Sequence, residues 1–276
     1  MDICSSTQVL GMHLLLILSY IIGPNMAEQE VENLSGLSSN PDKNIFAIRE
    51  NGTTCLMAEF SAKILVPYEV PASNEVDWNV EDAVIQLPRD TEIKGKCWNN
   101  ESELHLTWSD KSCTLKLFFI KDDSTKSGGR NWKMNKIQFM YDLSDRTNFK
   151  NGARPGKHTA SRYNLSLMVT PVGMSYECEA LEKVSLTSTD QKKTAVLYLS
   201  EVHIQPFDIK SDFLYSEDYR CLTDQQKQLE ETLPLILGLT LGVAILIILA
   251  VYHVHHKMTA NQVQIPRDRS LYKHMG

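Results

Sequence analysis

Two long apolar runs interrupt a chain whose remaining hydrophobic positions mostly alternate with polar ones. The first runs from Val9 to Gly23, with Leu14-Leu15-Leu16-Ile17-Leu18 at its centre. It matches the apolar part of a secretory signal and is short for a membrane span. Asn25 and Ala27 stand at −3 and −1 of a cleavage site after Ala27, so residues 1–27 are expected to be a signal peptide. The second run, Leu233 to Tyr252, holds 20 residues without a charge. Coiled as a helix it is about 30 Å long, the thickness of the hydrocarbon core. Thr232 is placed to cap this predicted transmembrane helix, and Pro234 falls in its first turn, where a missing N–H costs little.

Between the runs the prevailing period is two. Val196, Tyr198, Val202 and Ile204 read as one face of a strand, and Cys113, Leu115, Leu117 and Phe119 as one face of another. Ile137–Tyr141 and Leu165–Val169 add further strand candidates. Turn signals separate them at Gly128-Gly129, Asn151-Gly152, Pro155-Gly156 and Pro171-Val172-Gly173. The pattern predicts a mostly β domain over residues 45–232, long enough for one sizeable core. Val80 to Leu87 could instead form a short helix, which keeps an α+β alternative open. Residues 28–44, rich in Glu, Asn and Ser, are expected to be a flexible leader.

Charge sets the orientation. The tail, residues 253–276, carries Lys257, Arg267, Arg269 and Lys273 against Asp268, a net of +3. Residues 28–232 carry 24 Lys/Arg against 32 Asp/Glu, a net of −8. Lys and Arg stay on the cytoplasmic side, so the acidic segment is expected outside as in a type I membrane protein. The 24 hydrophilic residues after the apolar run argue against a lipid-anchor signal. An acidic, exported domain also argues against nucleic acid as a partner.

Export predicts oxidised cysteines and glycans. Cys4 leaves with the signal, and Cys55, Cys97, Cys113, Cys178 and Cys221 remain. Two pairs among five cysteines can be drawn in fifteen ways, so sequence leaves the connectivity open. The favoured arrangement rests on symmetry: Cys55 to Cys97 is 42 positions and Cys178 to Cys221 is 43. Cys113 is left over on an apolar strand face and is expected to be a buried free thiol. Asn33, Asn51, Asn100 and Asn164 open Asn-x-Ser/Thr sequons and are expected at the surface.

No arrangement of residues points to catalysis, a cofactor or a metal. The chain has no His-Glu-x-x-His, no Gly-x-Ser-x-Gly and no phosphate-cradling glycine loop. His105, His158 and His203 are scattered; His253, His255 and His256 cluster and could bind a metal or sense pH, but are expected to be interfacial polar residues beside Lys257. Gly238 and Gly242 have the Gly-x-x-x-Gly spacing that lets two membrane helices approach, which predicts weak self-association. In the tail, Tyr272-Lys273-His274-Met275 reads as a tyrosine sorting signal for clathrin adaptor complexes, with Tyr272 and Met275 each filling a pocket.

These features together resemble the lysosome-associated membrane glycoprotein family. The carrying residues are the two near-equal cysteine loops, Val202-His203-Ile204-Gln205-Pro206-Phe207-Asp208-Ile209 with Cys221 ahead of the membrane, the apolar helix, and the tail from His253 to Gly276. The resemblance implies a β-prism-like luminal domain, N-glycosylation, no catalytic activity, and residence in endosomal and plasma membranes, including neuronal vesicles. It differs from the lysosomal pattern in having one luminal domain, in Leu271 where those members have glycine before the tyrosine, and in placing Tyr272 20 positions beyond Tyr252. Those departures favour earlier endosomes or specialised vesicles over stable lysosomal residence. The functional expectation is sorting of passenger membrane proteins; the alternative is a cell-surface adhesion or receptor glycoprotein.

Overall fold

The computed structural model describes residues 29–72, 77–122, 129–188 and 193–262. They form two units, one ending at Cys221 and one starting at Leu222. In the first, β1 is Gln29–Asn33, β2 Asn44–Glu50, β3 Thr53–Pro71, β4 Trp78–Gln86 and β5 Glu92–Cys97. Then come β6 (Glu101–Trp108), β7 (Cys113–Asp122), β8 (Asn131–Asp142), β9 (Lys157–Arg162) and β10 (Leu167–Pro171). The last strands are β11 (Ser175–Cys178), β12 (Glu182–Ser188), β13 (Thr194–Gln205) and β14 (Asp218–Arg220). The second unit is a single helix, α1 (Leu222–Gln262). The domain is therefore mostly β.

The main strand order is β1-β2-β3-β13-β12-β9-β8-β7-β6-β5, with β4 on β3, β10 on β8 and β11 between β13 and β14. β3 organises it. One edge of its 19 residues pairs with β2 from Thr53 to Phe60 and with β4 from Lys63 to Pro71; the other pairs with β13. Every second residue, Leu56, Ala58, Phe60, Ala62, Ile64, Val66, Tyr68 and Val70, is buried. Each large side chain so covered contributes roughly 1.5–3 kcal/mol. Phe46, Leu104, Leu106, Leu115, Leu117, Phe119, Trp132 and Phe139 complete the same core. Trp132 keeps its indole N–H paired by donating to Met174 O at 3.1 Å.

The two ends of this strand order meet. Among the described strands, β1 pairs only with β2 and β5 only with β6, so each leaves one edge open. Side-chain amides seal the gap: Gln29 donates to Gly95 O, and Asn33 Nδ2 donates to Arg89 O at 2.7 Å and Thr91 O at 3.1 Å. β5 can come this close because residue 95 is glycine. A Cβ there would stand 2.1 Å from Ile48 Cδ1 and 2.5 Å from Glu103 O. On the β2 side, Arg49 holds Glu30 and Glu32 of β1 at 2.8 and 3.3 Å and Asp212 at 2.8 Å.

Several expectations are corrected. Of the leader expected over residues 28–44, the described part is not flexible: β1 runs antiparallel to β2 from Gln29↔Glu50 to Asn33↔Phe46. The stretch from Val80 is strand rather than helix, because it completes the ladder of β3 from Lys63↔Gln86 to Pro71↔Trp78. Val196 and Tyr198 do not share the buried face of Val202 and Ile204. A bulge between Ser200 and His203, with Glu201 at φ 51°, moves the buried face from Ala195, Leu197 and Leu199 to Val202 and Ile204. Thr232 does not cap the helix and Pro234 is not in its first turn. The helix begins at Leu222, because residues 222–232 are rich in helix-forming Gln, Leu and Glu. Thr232 Oγ1 instead donates back to Gln228 O at 2.7 Å. The β domain thus ends at Cys221, not at residue 232, and the helix that contains the apolar run is 41 residues long.

Candidate functional site

The structure bonds Cys55 to Cys97 and Cys178 to Cys221, with Cα–Cα distances of 6.2 and 5.2 Å. The first bond joins β3 to β5 across the sealed edges. The second joins the end of β11 to the residue after β14. Cys113, the free cysteine among the described residues, is fully buried on β7. Burial pushes its thiol pKa up to about 11, so little thiolate is present for oxidation or exchange.

All four sequon asparagines are exposed, but their settings differ. Asn51 and Gly52, at φ 52° and 76°, are the two central residues of the β2–β3 hairpin. Asn100 lies at the tip of the β5–β6 hairpin, and Asn164, at φ 54°, follows β9. Asn33 is built into the fold. Both its amide hydrogens go to carbonyls of the β4–β5 connection, and its Oδ1 accepts from Ser35 N at 3.0 Å. A glycan on Nδ2 would remove one of those hydrogens.

Two histidines have carboxylate partners that the sequence reading passed over. His105 Nε2 lies 3.2 Å from Glu103, two residues away on β6, and burial lowers its pKa. The i, i+2 spacing on a strand was the available signal. His203 Nε2 faces Asp218 Oδ1 at 2.9 Å and Ser175 Oγ at 3.2 Å, while Ser175 donates to Asp218 at 2.7 Å. No linear signal joins residues 175, 203 and 218. The trio contains the side chains of a serine hydrolase but not its geometry. A relay needs serine and carboxylate on opposite ring nitrogens, and here one nitrogen faces both. The His203 ring stacks on Tyr215 at 3.6 Å, and the Tyr215 hydroxyl donates to His203 O at 2.9 Å. The cluster ties β11, β13 and β14 together.

In α1, Gly238 and Gly242 lie one turn apart, and no described atom outside the helix backbone comes within 4 Å of either position's Cβ site. His253, His255 and His256 lie on the same helix. At about 100° per residue His255 points away from His253, so one helix cannot converge all three on an ion. The signal peptide and the tail residues Tyr272 and Met275 lie outside the described residues.

A disulfide-closed β domain followed by one helix apolar enough to cross a membrane defines a class: a single-pass membrane glycoprotein with a luminal domain. The sequence profile described as "Lysosome-associated membrane glycoprotein 2-like, luminal domains" matches residues 33–232. The chain belongs to the lysosome-associated membrane glycoprotein family, whose members are non-enzymatic membrane proteins. A relative from Xenopus tropicalis, "Lysosome-associated membrane glycoprotein 5", is 76% identical over 276 residues, covering 100% of both chains. The Homo sapiens protein of the same name is 58% identical over 267 residues, covering 96% of this chain and 95% of its own. The crystal structure of the membrane-proximal domain of mouse lysosome-associated membrane protein 1 has the same fold. Its TM-score is 0.51 at 18% identity, covering 72% of this chain and 99% of that one.

Proposed function

We propose that this protein sorts membrane proteins through endosomal vesicles, cycling by way of the plasma membrane, and that its tail carries the address. The observation that supports this reading is Tyr272-Lys273-His274-Met275 on the cytoplasmic side of a single membrane helix. In an extended segment the tyrosine and the apolar residue three positions on stand roughly 10 Å apart, a spacing that two pockets beside a sheet edge can read. Clathrin adaptor complexes are the proposed reader. The helix adds to the argument: it continues to Gln262, ten positions past Tyr252, or about 15 Å. Tyr272 lies ten positions beyond Gln262, the last described residue. The luminal domain, sealed and exposed at its sequons, recognises or shields passengers. Weak self-association through Gly238 and Gly242 gathers copies into the same carrier.

The test is uptake of surface-labelled protein. Tyr272→Ala accumulates at the cell surface and internalises slowly, with folding and glycosylation unchanged. Met275→Ala does the same more mildly, and Lys273→Ala has little effect. Wild-type uptake by Tyr272→Ala would defeat the proposal. Uptake that requires an added extracellular ligand would favour an adhesion or receptor role.

A further inference from the structure

The β5–β6 hairpin ends in Trp98-Asn99-Asn100-Glu101, between the paired residues Cys97 and Ser102. Its tip is held firmly. Trp98 N donates to Glu101 O at 2.8 Å, Lys121 N donates to Asn100 O at 2.8 Å, and Cys97 is bonded to Cys55. Yet the Trp98 side chain, which could bury more apolar area than almost any other, is 45% exposed. It shares a groove of about 630 Å³ with Asn100. That volume lies in the range of pockets that hold small ligands. The rest of the groove is largely polar, with Glu50, Arg130 and Asp208 in its walls. Arg130 Nη2 approaches Asn100 Oδ1 to 3.5 Å, and the Lys96 ammonium sits 5.0 Å from the Trp98 ring centroid. Among the four sequons, Asn100 alone has an aromatic residue two positions before it.

We propose that Trp98 and this groove hold the first N-acetylglucosamine of a glycan on Asn100, so that the chain's own sugar completes the hairpin tip. The inference rests on occupancy of the Asn100-Glu101-Ser102 sequon. A β-linked N-acetylglucosamine has one face of axial C–H groups and a rim of hydroxyl and acetamide groups. The C–H face suits the electron-rich face of an indole, and the rim suits charged groove walls. Because the sugar is tethered to Asn100, it meets Trp98 at high effective concentration and with no further translational entropy to lose.

The experiment is a double-mutant cycle on the full chain in detergent, with glycopeptide mass spectrometry reporting occupancy. Asn100 is occupied in the wild type and in Trp98→Ala. Asn100→Gln lowers Tm by about 2–4 °C in the wild-type background. The same substitution leaves the Tm of Trp98→Ala unchanged, and Trp98→Phe restores part of the shift. Hydroxyl-radical footprinting reads the ring itself: Trp98 oxidation rises in Asn100→Gln. An unoccupied Asn100 overturns the proposal together with the sequon reading beneath it. An occupied Asn100 with equal Tm shifts in both backgrounds, or with Trp98 oxidised equally with and without the glycan, overturns the stacking alone.

Discussion

The two disulfides close loops of 42 and 43 positions, and chain-closure entropy ranks them equal at ~4 kcal/mol each. Their surroundings are not equal. Cys55–Cys97 joins strands that share no ladder, at the place where the two ends of the sheet meet. Among the described residues, side chains such as Gln29 and Asn33 bridge the same edges. Cys178–Cys221 joins strands already paired from Ser175↔Asp218 to Glu177↔Arg220, and Cys221 N also donates to Glu177 O at 2.9 Å. The His203 cluster holds the same two strands to β13. Loop length describes what a cross-link does to the unfolded chain. Position in the sheet decides what still holds the folded chain when the bond is gone.

The largest effect is expected from removing the bond across the edges. Cys55→Ala with Cys97→Ala should cost about 2–5 kcal/mol, a Tm loss on the order of 10 °C by calorimetry, and should trap the protein during export. Hydrogen exchange should also speed up in β1 and β5, and wild-type exchange there would break the comparison. Gly95→Ala probes the same closure without touching sulfur. Its Cβ must displace Ile48 and the main chain at Glu103, so we expect a cost of about 1–3 kcal/mol in urea unfolding. A wild-type midpoint would mean that the edges are not held so close. The most local effect on the folded chain belongs to Cys178→Ala with Cys221→Ala. Hydrogen exchange should speed up at Asp218–Arg220 and stay unchanged in β7 and β8, while the global loss is the few kcal/mol, about 2–5, that chain closure sets for a loop of this length. Faster exchange throughout the core would show that this bond, too, holds the whole domain.

Much of the domain was legible from alternation. Cys113, Leu115, Leu117 and Phe119 share a buried face of β7, as their period indicates. β3 carries the longest alternation among the described strands and is not among the strand candidates of the sequence, since Pro67 and Pro71 within it cannot donate to a ladder. Val80 to Leu87 was ambiguous for a physical reason: Val80, Ala83, Val84 and Leu87 fit a helical stripe as well as a strand. Pairing with β3 decided it, leaving Val80 and Val84 58% and 56% exposed while Ala83, Ile85 and Leu87 turn inward. β13 departs from the linear pattern at one residue, since the bulge at Glu201 reverses the alternation.

What the sequence determined by itself depends on composition and near neighbours. An uncharged run of 20 residues crosses a membrane whatever it is attached to, because its transfer into hydrocarbon involves no distant contact. The positive tail sets the orientation on the same local terms. Strand period follows from the pleat. The tertiary structure decided everything that required two distant segments to meet. It placed the amide of Asn33 in the closure rather than in open solvent, and required glycine at residue 95. It gathered Ser175, His203 and Asp218 into a structural cluster, and made two loops of equal length unequal in consequence. Such contacts depend on strand order, and strand order is set by how all the apolar faces bury together, not by any one segment.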